Sequence, residues 1–185
     1  MEISIKKIGE WENVKEAALF TIGKKYISGN KISSSWKKKI LLCEHSPIRE
    51  NFITWEWHGI KSWISVHFVR HKIGIEHFVK TQREDRTGIP RDNKPQAELV
   101  NHRCSANFQA IINISRKRLC LGQPHKETRK VWKLFLREIK EIEPELFSVA
   151  VPECIYRGFC PEFNPCGYAE TEKYKNKLKE YRTVK

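Results

Sequence analysis

Val69-Arg70-His71-Lys72, followed 35 residues after Lys72 by Asn107 and then by Asn113 and Arg118, is the part of the sequence that decides its reading. These are two separated clusters of long cationic and amide side chains, each set in an otherwise apolar segment. Cations in a core-forming segment cost several kcal/mol unless something anionic meets them. Few carboxylates lie close by in the sequence, so the clusters read as the seat of a bound polyanion. The amides add a flat ring with hydrogen-bonding edges as its companion. At about 100° per residue, positions 113 and 118 fall about 120° and about 20° from position 107. They can project from one broad side of a helix while Phe108, Ile111 and Ile112 pack on the other. A solvated helix face would carry the same residue types, and spacing alone leaves that plainer reading open.

Outward from these clusters the periodicities suggest a mixed fold. Trp11 to Thr21 reads as a helix, with Val14, Ala17 and Ala18 on one side. Ser33-Ser34-Ser35 opens a second, with Trp36, Ile40 and Leu41 inward. Phe52 to His58 alternates Ile53, Trp55 and Trp57 against Thr54, Glu56 and His58, the pattern of a half-buried strand that Gly59 punctuates. Ser62 reads as the N-cap of a helix reaching about Lys72, and Gly74 as its stop. Ile75 to Arg83 looks extended or mixed, and Glu84 to Leu99, with Gly88, Pro90 and Pro95, looks like a loop. Ser105 is the expected cap of the helix carrying Asn107 to Leu119. Glu127 to Ile142 is the clearest amphipathic helix, with Val131, Trp132, Leu134, Phe135, Leu136 and Ile139 inward. Pro144 begins a further short helix.

The chain has 185 residues and 39% hydrophobic residues, enough for one domain with its own core. The division expected is a domain over 1–168 and a basic helical tail over 169–185, with Tyr174, Leu178 and Tyr181 at helical spacing. No run of about 18 apolar residues occurs. Met1-Glu2-Ile3-Ser4 opens no signal peptide, so a cytoplasmic protein without a membrane partner is expected. In that compartment the six cysteines read as thiols. Cys154, Cys160 and Cys166 recur every six residues, unlike the close pairs of common zinc sites, and no metal is expected. The formal charge of +13 calls for anionic partners. Lys37, Lys38, Lys39 and the lysines of the tail read as ordinary solvated surface.

At this point the residues resemble a family. Arg70-His71-Lys72 is similar to the Arg-His-Arg that opens the signature of the flavin-dependent thymidylate synthases, and Asn107, Asn113 and Arg118 resemble its second cluster. Ser46-Pro47 resembles the family's Thr-Pro pair, Arg91 with Pro95 its Arg four residues before a Pro, and Ala17-Ala18 part of its first helix. The resemblance runs in order from about residue 11 to residue 140. After Arg-His-Arg the family carries Ser, Asn-Glu, Ser and Arg, where this chain has Ile75, His77-Phe78, Lys80 and Gln82. One inserted residue puts Arg83 at the missing Arg and Thr81 near the lost Ser. His67 stands where the family has Gln, the segment between the clusters is shorter, and Val151 to Tyr168 has no counterpart.

The resemblance implies an α+β fold, a small, largely antiparallel sheet with packed helices, assembled as a homotetramer of D2 symmetry. It implies FAD as cofactor, with NADPH and methylenetetrahydrofolate as co-substrates and dUMP as acceptor, reductively methylated to dTMP without a protein nucleophile. Ser46, Arg70, His71, Lys72, Asn107 and Asn113 are then the cofactor-binding candidates. His67, Gln82, Arg83, Arg91 and Arg118 are the nucleotide-binding ones. The replaced signature residues leave room for a relative that acts on dCMP or leaves a hydroxymethyl group. A different class, a basic nucleic-acid-binding protein, would stack bases on Trp36, Trp55 and Trp57. A structural protein held by zinc on the late cysteines is a third.

Overall fold

Alternating side chains build the sheet around one apolar face. The computed structural model describes residues 1–27, 29 and 31–183. Among these, four strands, β1 (Glu2–Ile8), β2 (Phe52–Lys61), β3 (Ile75–Val79) and β4 (Leu99–Asn107), form one antiparallel sheet in the order β1-β2-β4-β3. One row across it reads Ile5, Trp55, Cys104, His77, and the next Ile3, Trp57, His102, Val79. Ile53, Trp55 and Trp57 point inward as their alternation requires and are fully buried. Base stacking on Trp55 and Trp57 is therefore not available to a nucleic acid.

Helices α1 (Trp11–Phe20), α2 (Ser34–Leu42), α3 (Ser62–Val69), the short α4 (Glu84–Thr87), α5 (Phe108–Arg118), α6 (Lys126–Ile142), α7 (Pro144–Val149), α8 (Glu153–Arg157) and α9 (Glu172–Arg182) complete the described chain, with three 3-10 turns. From α6, Val131, Trp132, Phe135, Leu136 and Ile139 are buried in the core, whereas Leu134 lies half-exposed at its border. An aromatic cluster joins α6 to the sheet and to α3. Trp55 and Phe135 have ring centroids 4.3 Å apart, Trp57 and Phe68 4.5 Å, and Trp132 and Phe135 4.6 Å. Tyr174 of α9 packs with Val151 and Ile155 in a second, smaller cluster. No helix among the described residues is long and apolar enough to cross a membrane.

Several boundaries differ from expectation, each for a local reason. The segment before Asn107 is the strand β4, not a loop running into a helix capped by Ser105. Its inward residues Val100, His102, Cys104 and Ala106 alternate correctly, but only one is a strong strand former. Gly59 does not end β2: at φ +76 it sits in a bulge between Trp57 and Ile60, its N–H donating to the Asn101 side-chain oxygen. Lys61, not Ser62, is the N-cap of α3, which stops at Val69. Strand β1, formed by residues given no structure from the sequence, pairs along its whole length with β2.

The carboxylate of Glu143, at the α6–α7 corner, is 2% exposed. It accepts from the Trp11 indole N–H at 2.8 Å and pairs with Lys7 at 2.7 Å. Removing one partner of a buried pair strands the other charge. Lys7→Met is expected to lower unfolding free energy by about 3 kcal/mol in urea titration. A loss below about 1 kcal/mol would mean that water screens Glu143.

Candidate functional site

The turn after α3 and the start of α5 are locked together by backbone contact. Arg70 caps α3, and His71 continues the turn with its N–H on the Phe68 carbonyl at 2.9 Å. Gly74 follows at φ +71, and its carbonyl accepts from the Asn107 N–H at 3.0 Å. A Cβ at Gly74 would stand 2.8 Å from the Asn107 side-chain nitrogen, so only glycine fits. Asn107 is in turn the N-cap of α5, its Oδ1 accepting from the Ala110 N–H at 2.9 Å. The two sequence clusters therefore meet. Between them lies an open groove of about 310 Å³ lined by Arg70, His71, Lys72, Ile73, Ala110, Asn113 and Ile114.

Arg118, the last residue of α5, closes the arrangement from behind. Its Nε donates to His71 Nε2 at 2.9 Å and its Nη2 to the His67 carbonyl, while its guanidinium faces the Phe68 ring. Among the described residues no carboxylate pairs with Arg70, Lys72 or Arg118. Burial, then the Arg70 charge, lowers the pKa of Arg118. Burial, with Arg118 and His77 adding to it, holds His71 down to about 4. His71 is thus a neutral imidazole, which is what lets its Nε2 accept from Arg118. The sequence argument placed all these cations in a core. In the fold Arg70 and Lys72 are exposed, because α3 stops before them, and only Arg118 and His71 are half-buried.

Asn113 is set by a network that the sequence did not reveal. Its Oδ1 accepts from Gln109 Nε2 at 3.2 Å and Arg116 Nη1 at 3.1 Å, and the Glu44 carboxylate accepts from the same Gln109 Nε2 and from Arg116 Nη2. Glu44 holds a left-handed backbone at φ 50, uncommon for a residue with a side chain. With its oxygen occupied, Asn113 keeps its amide N–H groups as free donors. Below the groove runs a chain of imidazoles. His77 Nε2 donates to the His71 carbonyl at 2.8 Å, His77 Nδ1 lies 3.0 Å from His102 Nε2, and His102 Nδ1 lies 3.0 Å from Ser65 Oγ. One consistent set of protons satisfies every member: Ser65 to His102, His102 to His77, His77 to His71. Cys104 Sγ completes a trio with His102 and His77, 3.2 Å from His102 Nε2 and 3.4 Å from His77 Nδ1. One ring nitrogen each of His77 and His102 and the Cys104 Sγ lie within 4.8 Å of one another. Because the hydrogen bonds close without an ion, we read the trio as a relay that holds the His71 carbonyl.

The other sequence candidates lie elsewhere in the subunit. His67 turns away from the groove, with Nδ1 2.8 Å from Thr128 Oγ1 of α6. Its pKa is lowered by burial first and then by Arg118, Arg70 and His125. Gln82 donates to Glu98 at 2.7 Å and Arg83 forks onto Asp85 at 2.9 and 2.8 Å. Arg91 is exposed in a 3-10 turn between β3 and β4, and Ser46 heads the 3-10 turn Ser46–Glu50 before β2. None of these lines the groove. Glu44, Gln109 and Arg116 lacked any spacing signal. His77 and His102 stood 25 residues apart in sequence and only strand pairing joins them.

No protein-family profile matches the sequence, and no curated protein matches it. Solved structures do. Flavin-dependent thymidylate synthase ThyX from Helicobacter pylori, complexed with FAD and dUMP, superposes with a TM-score of 0.64 at 13% identity, over 82% of this chain and 100% of that one. The UMP/dUMP methylase PolB from Streptomyces cacaoi, bound with 5-Br dUMP, gives 0.61 at 12% identity, over 85% and 96%. The chain has the flavin-dependent thymidylate synthase fold. The α+β architecture implied by the sequence resemblance is therefore present, with the antiparallel sheet and packed helices of that fold.

Two outcomes follow from this electrostatic arrangement. Arg118→Met removes a half-buried cation without an acid partner, so stability in urea should hold or rise. Affinity for inorganic pyrophosphate, read by calorimetry, should fall about tenfold or more. Marked destabilisation with unchanged pyrophosphate affinity would make Arg118 a purely structural cation. His71 and His102 are both held down to about 4, each by burial first. Between that value and the unfolded value of about 6.5, the unfolded chain binds more protons. Stability is therefore expected to fall as pH drops through this window, with a shallower slope in His71→Asn. A urea midpoint independent of pH in that range would contradict it.

Proposed function

We propose that this chain is a flavin-dependent pyrimidine-nucleotide methylase that converts dUMP to dTMP with methylenetetrahydrofolate, FAD and NADPH. The observation that carries the reading is Arg118, a half-buried guanidinium that meets a neutral imidazole and a carbonyl but no acid. A cation kept there without an acid favours an anionic ligand. Arg70 and Lys72 at the groove mouth extend the same field. The residues present fit a flavin diphosphate: exposed cations for the phosphates, and the Asn113 N–H groups for a carbonyl edge of a ring.

FAD, when bound, supplies the redox chemistry of the one-carbon transfer. The chain's own part is to position and to balance charge. Arg70 and Lys72 neutralise phosphate, Arg118 fixes the anion from behind, and the relay from Ser65 to His77 holds the His71 carbonyl still. Cys104 offers no nucleophile, because burial raises its thiol pKa far above neutral pH.

Ser46, Gln82, Arg83 and Arg91 lie outside the groove of their own subunit, so a site containing them draws on a second copy. Val66, Val69, Ile73 and Phe78, exposed on α3, the following turn and β3, offer that copy an apolar seat beside the groove. We place the chain in a homotetramer on this ground. The acceptor assigned is dUMP, with dCMP and a hydroxymethyl product as the competing case.

The purified protein is expected to carry or take up FAD, with the bound-flavin absorption spectrum, and to elute as a tetramer in light scattering. Arg70→Ala should weaken FAD about tenfold or more. Mass analysis of products from dUMP, UMP and dCMP then names the acceptor. Colourless protein that ignores added FAD sinks the flavin reading. A monomer that turns over sinks the shared site.

A further inference from the structure

The cysteines that the groove does not use converge on a place of their own. Cys154, Cys160 and Cys166 recur every six residues, and the fold brings a fourth, Cys120, to them from 34 residues before Cys154. All four line one small cavity of about 20 Å³, together with Leu119, Leu121, Pro152, Tyr168 and the carboxylates Glu153 and Glu162. Cys120 follows the end of α5, Cys154 lies in α8, Cys160 and Cys166 lie in the connection after it. Four of the chain's six cysteines therefore meet from separate stretches of backbone. At Gly122 the two stretches touch: a Cβ there would stand 3.2 Å from Cys166 Cβ. The Cys120 and Leu121 carbonyls are pinned by Arg129 at 3.1 and 3.0 Å.

The connection itself has little else to hold it. Among the described residues, 159–166 make no backbone or side-chain hydrogen bond to the rest of the protein. Its two large apolar side chains face solvent, Phe159 58% and Phe163 97% exposed. Ordering such a segment costs conformational entropy that neither burial nor hydrogen bonds offset. Toward the cavity it presents Cys160, Pro161, Glu162 and Cys166, with Cys160 half-buried and Cys166 exposed at the rim. Gly158, left-handed at φ +83, starts the turn, and a side chain there would collide with the Arg182 guanidinium of α9. A cross-link through the sulfurs is the interaction that this geometry lacks.

We propose that Cys120, Cys154, Cys160 and Cys166 bind a metal centre through four thiolates. Each thiol gives its proton to solvent as its sulfur ligates. Among the described residues only the His77, His102 and Cys104 trio has three ligand atoms within 4.8 Å of one another, so the four sulfurs stand around the cavity without closing on a point. A single zinc ion, with Zn–S near 2.3 Å, would draw them to about 3.8 Å apart. An iron–sulfur cluster sets its thiolates wider. Both are the same ligand chemistry, and metal analysis separates them. The centre staples the connection after α8 to the end of α5, two residues beyond Arg118. It does not depend on the flavin reading, and a protein without flavin activity would test it equally.

The test is metal and sulfide analysis of the full-length, untagged protein purified anaerobically without chelator. About one zinc per chain, or iron with matching acid-labile sulfide, is expected. Cys120→Ser and Cys160→Ser should lose it, and Cys43→Ser should keep it. If the serine variants do not fold, mercurial titration of the wild type decides: metal must leave in step with modification of four thiols. Metal-free protein with freely titrating thiols, or cysteines paired as disulfides, overturns the proposal. So does metal that survives Cys160→Ser but is lost in His102→Ala.

Discussion

Gly74 and Asn107 approach so closely that no side chain fits between them, and the candidate site depends on this contact. It sets the turn carrying Arg70, His71 and Lys72 against the first residues of α5, whose far end presents Arg118. Asn107 serves the junction twice, with its backbone N–H on Gly74 and its side chain capping the helix. An α-helix is stiff over its 11 residues, so locking its start also locks where Arg118 stands. Trp132, donating to Ser115 at 3.0 Å in the core, holds the same helix from the other side.

The groove is polarised by what it lacks. Surface cations are commonly paired, and this protein does pair Arg83 with Asp85, Arg103 with Glu56 and Arg157 with Glu153. Around the groove the acids are withdrawn. Glu44, the carboxylate joined to Asn113's network, is taken up by Gln109 and Arg116. Arg118 instead meets dipoles: a carbonyl and an imidazole kept neutral by burial and by Arg118 itself. Such a site favours an anion without holding one of its own, at some cost in stability.

Two clusters of potential metal ligands lie outside the groove lining. His77, His102 and Cys104 sit on neighbouring strands β3 and β4, where strand pairing brings them together and the imidazole protons can all be satisfied. Cys160 and Cys166 sit in an irregular connection that, among the described residues, makes no hydrogen bond to the rest of the protein, and Cys154 in the helix before it. Similar residue types thus stand in different settings: one set closes its own hydrogen bonds, and the other is the set proposed to take a metal.

What the sequence determined by itself is whatever repeats with a local period or sits in one short stretch. Ile53, Trp55 and Trp57 announced β2, the stripe on α6 announced the helix that covers it, and of the singled-out cations and amides Arg70, His71, Lys72 and Asn113 line one groove. Tertiary structure decided what depends on partners far along the chain. β4 exists because β2 and β3 pair with both its edges, although its own residues are weak strand formers. Glu44 reaches Asn113's network, and Cys120 reaches Cys154, across separations that no period encodes. Burial, too, belongs to the fold: Arg70 and Lys72 came out exposed and Arg118 half-buried, because a helix's end point sets which side chains leave water. Charge and spacing are local properties of a chain, whereas desolvation and pairing are properties of its neighbours in space.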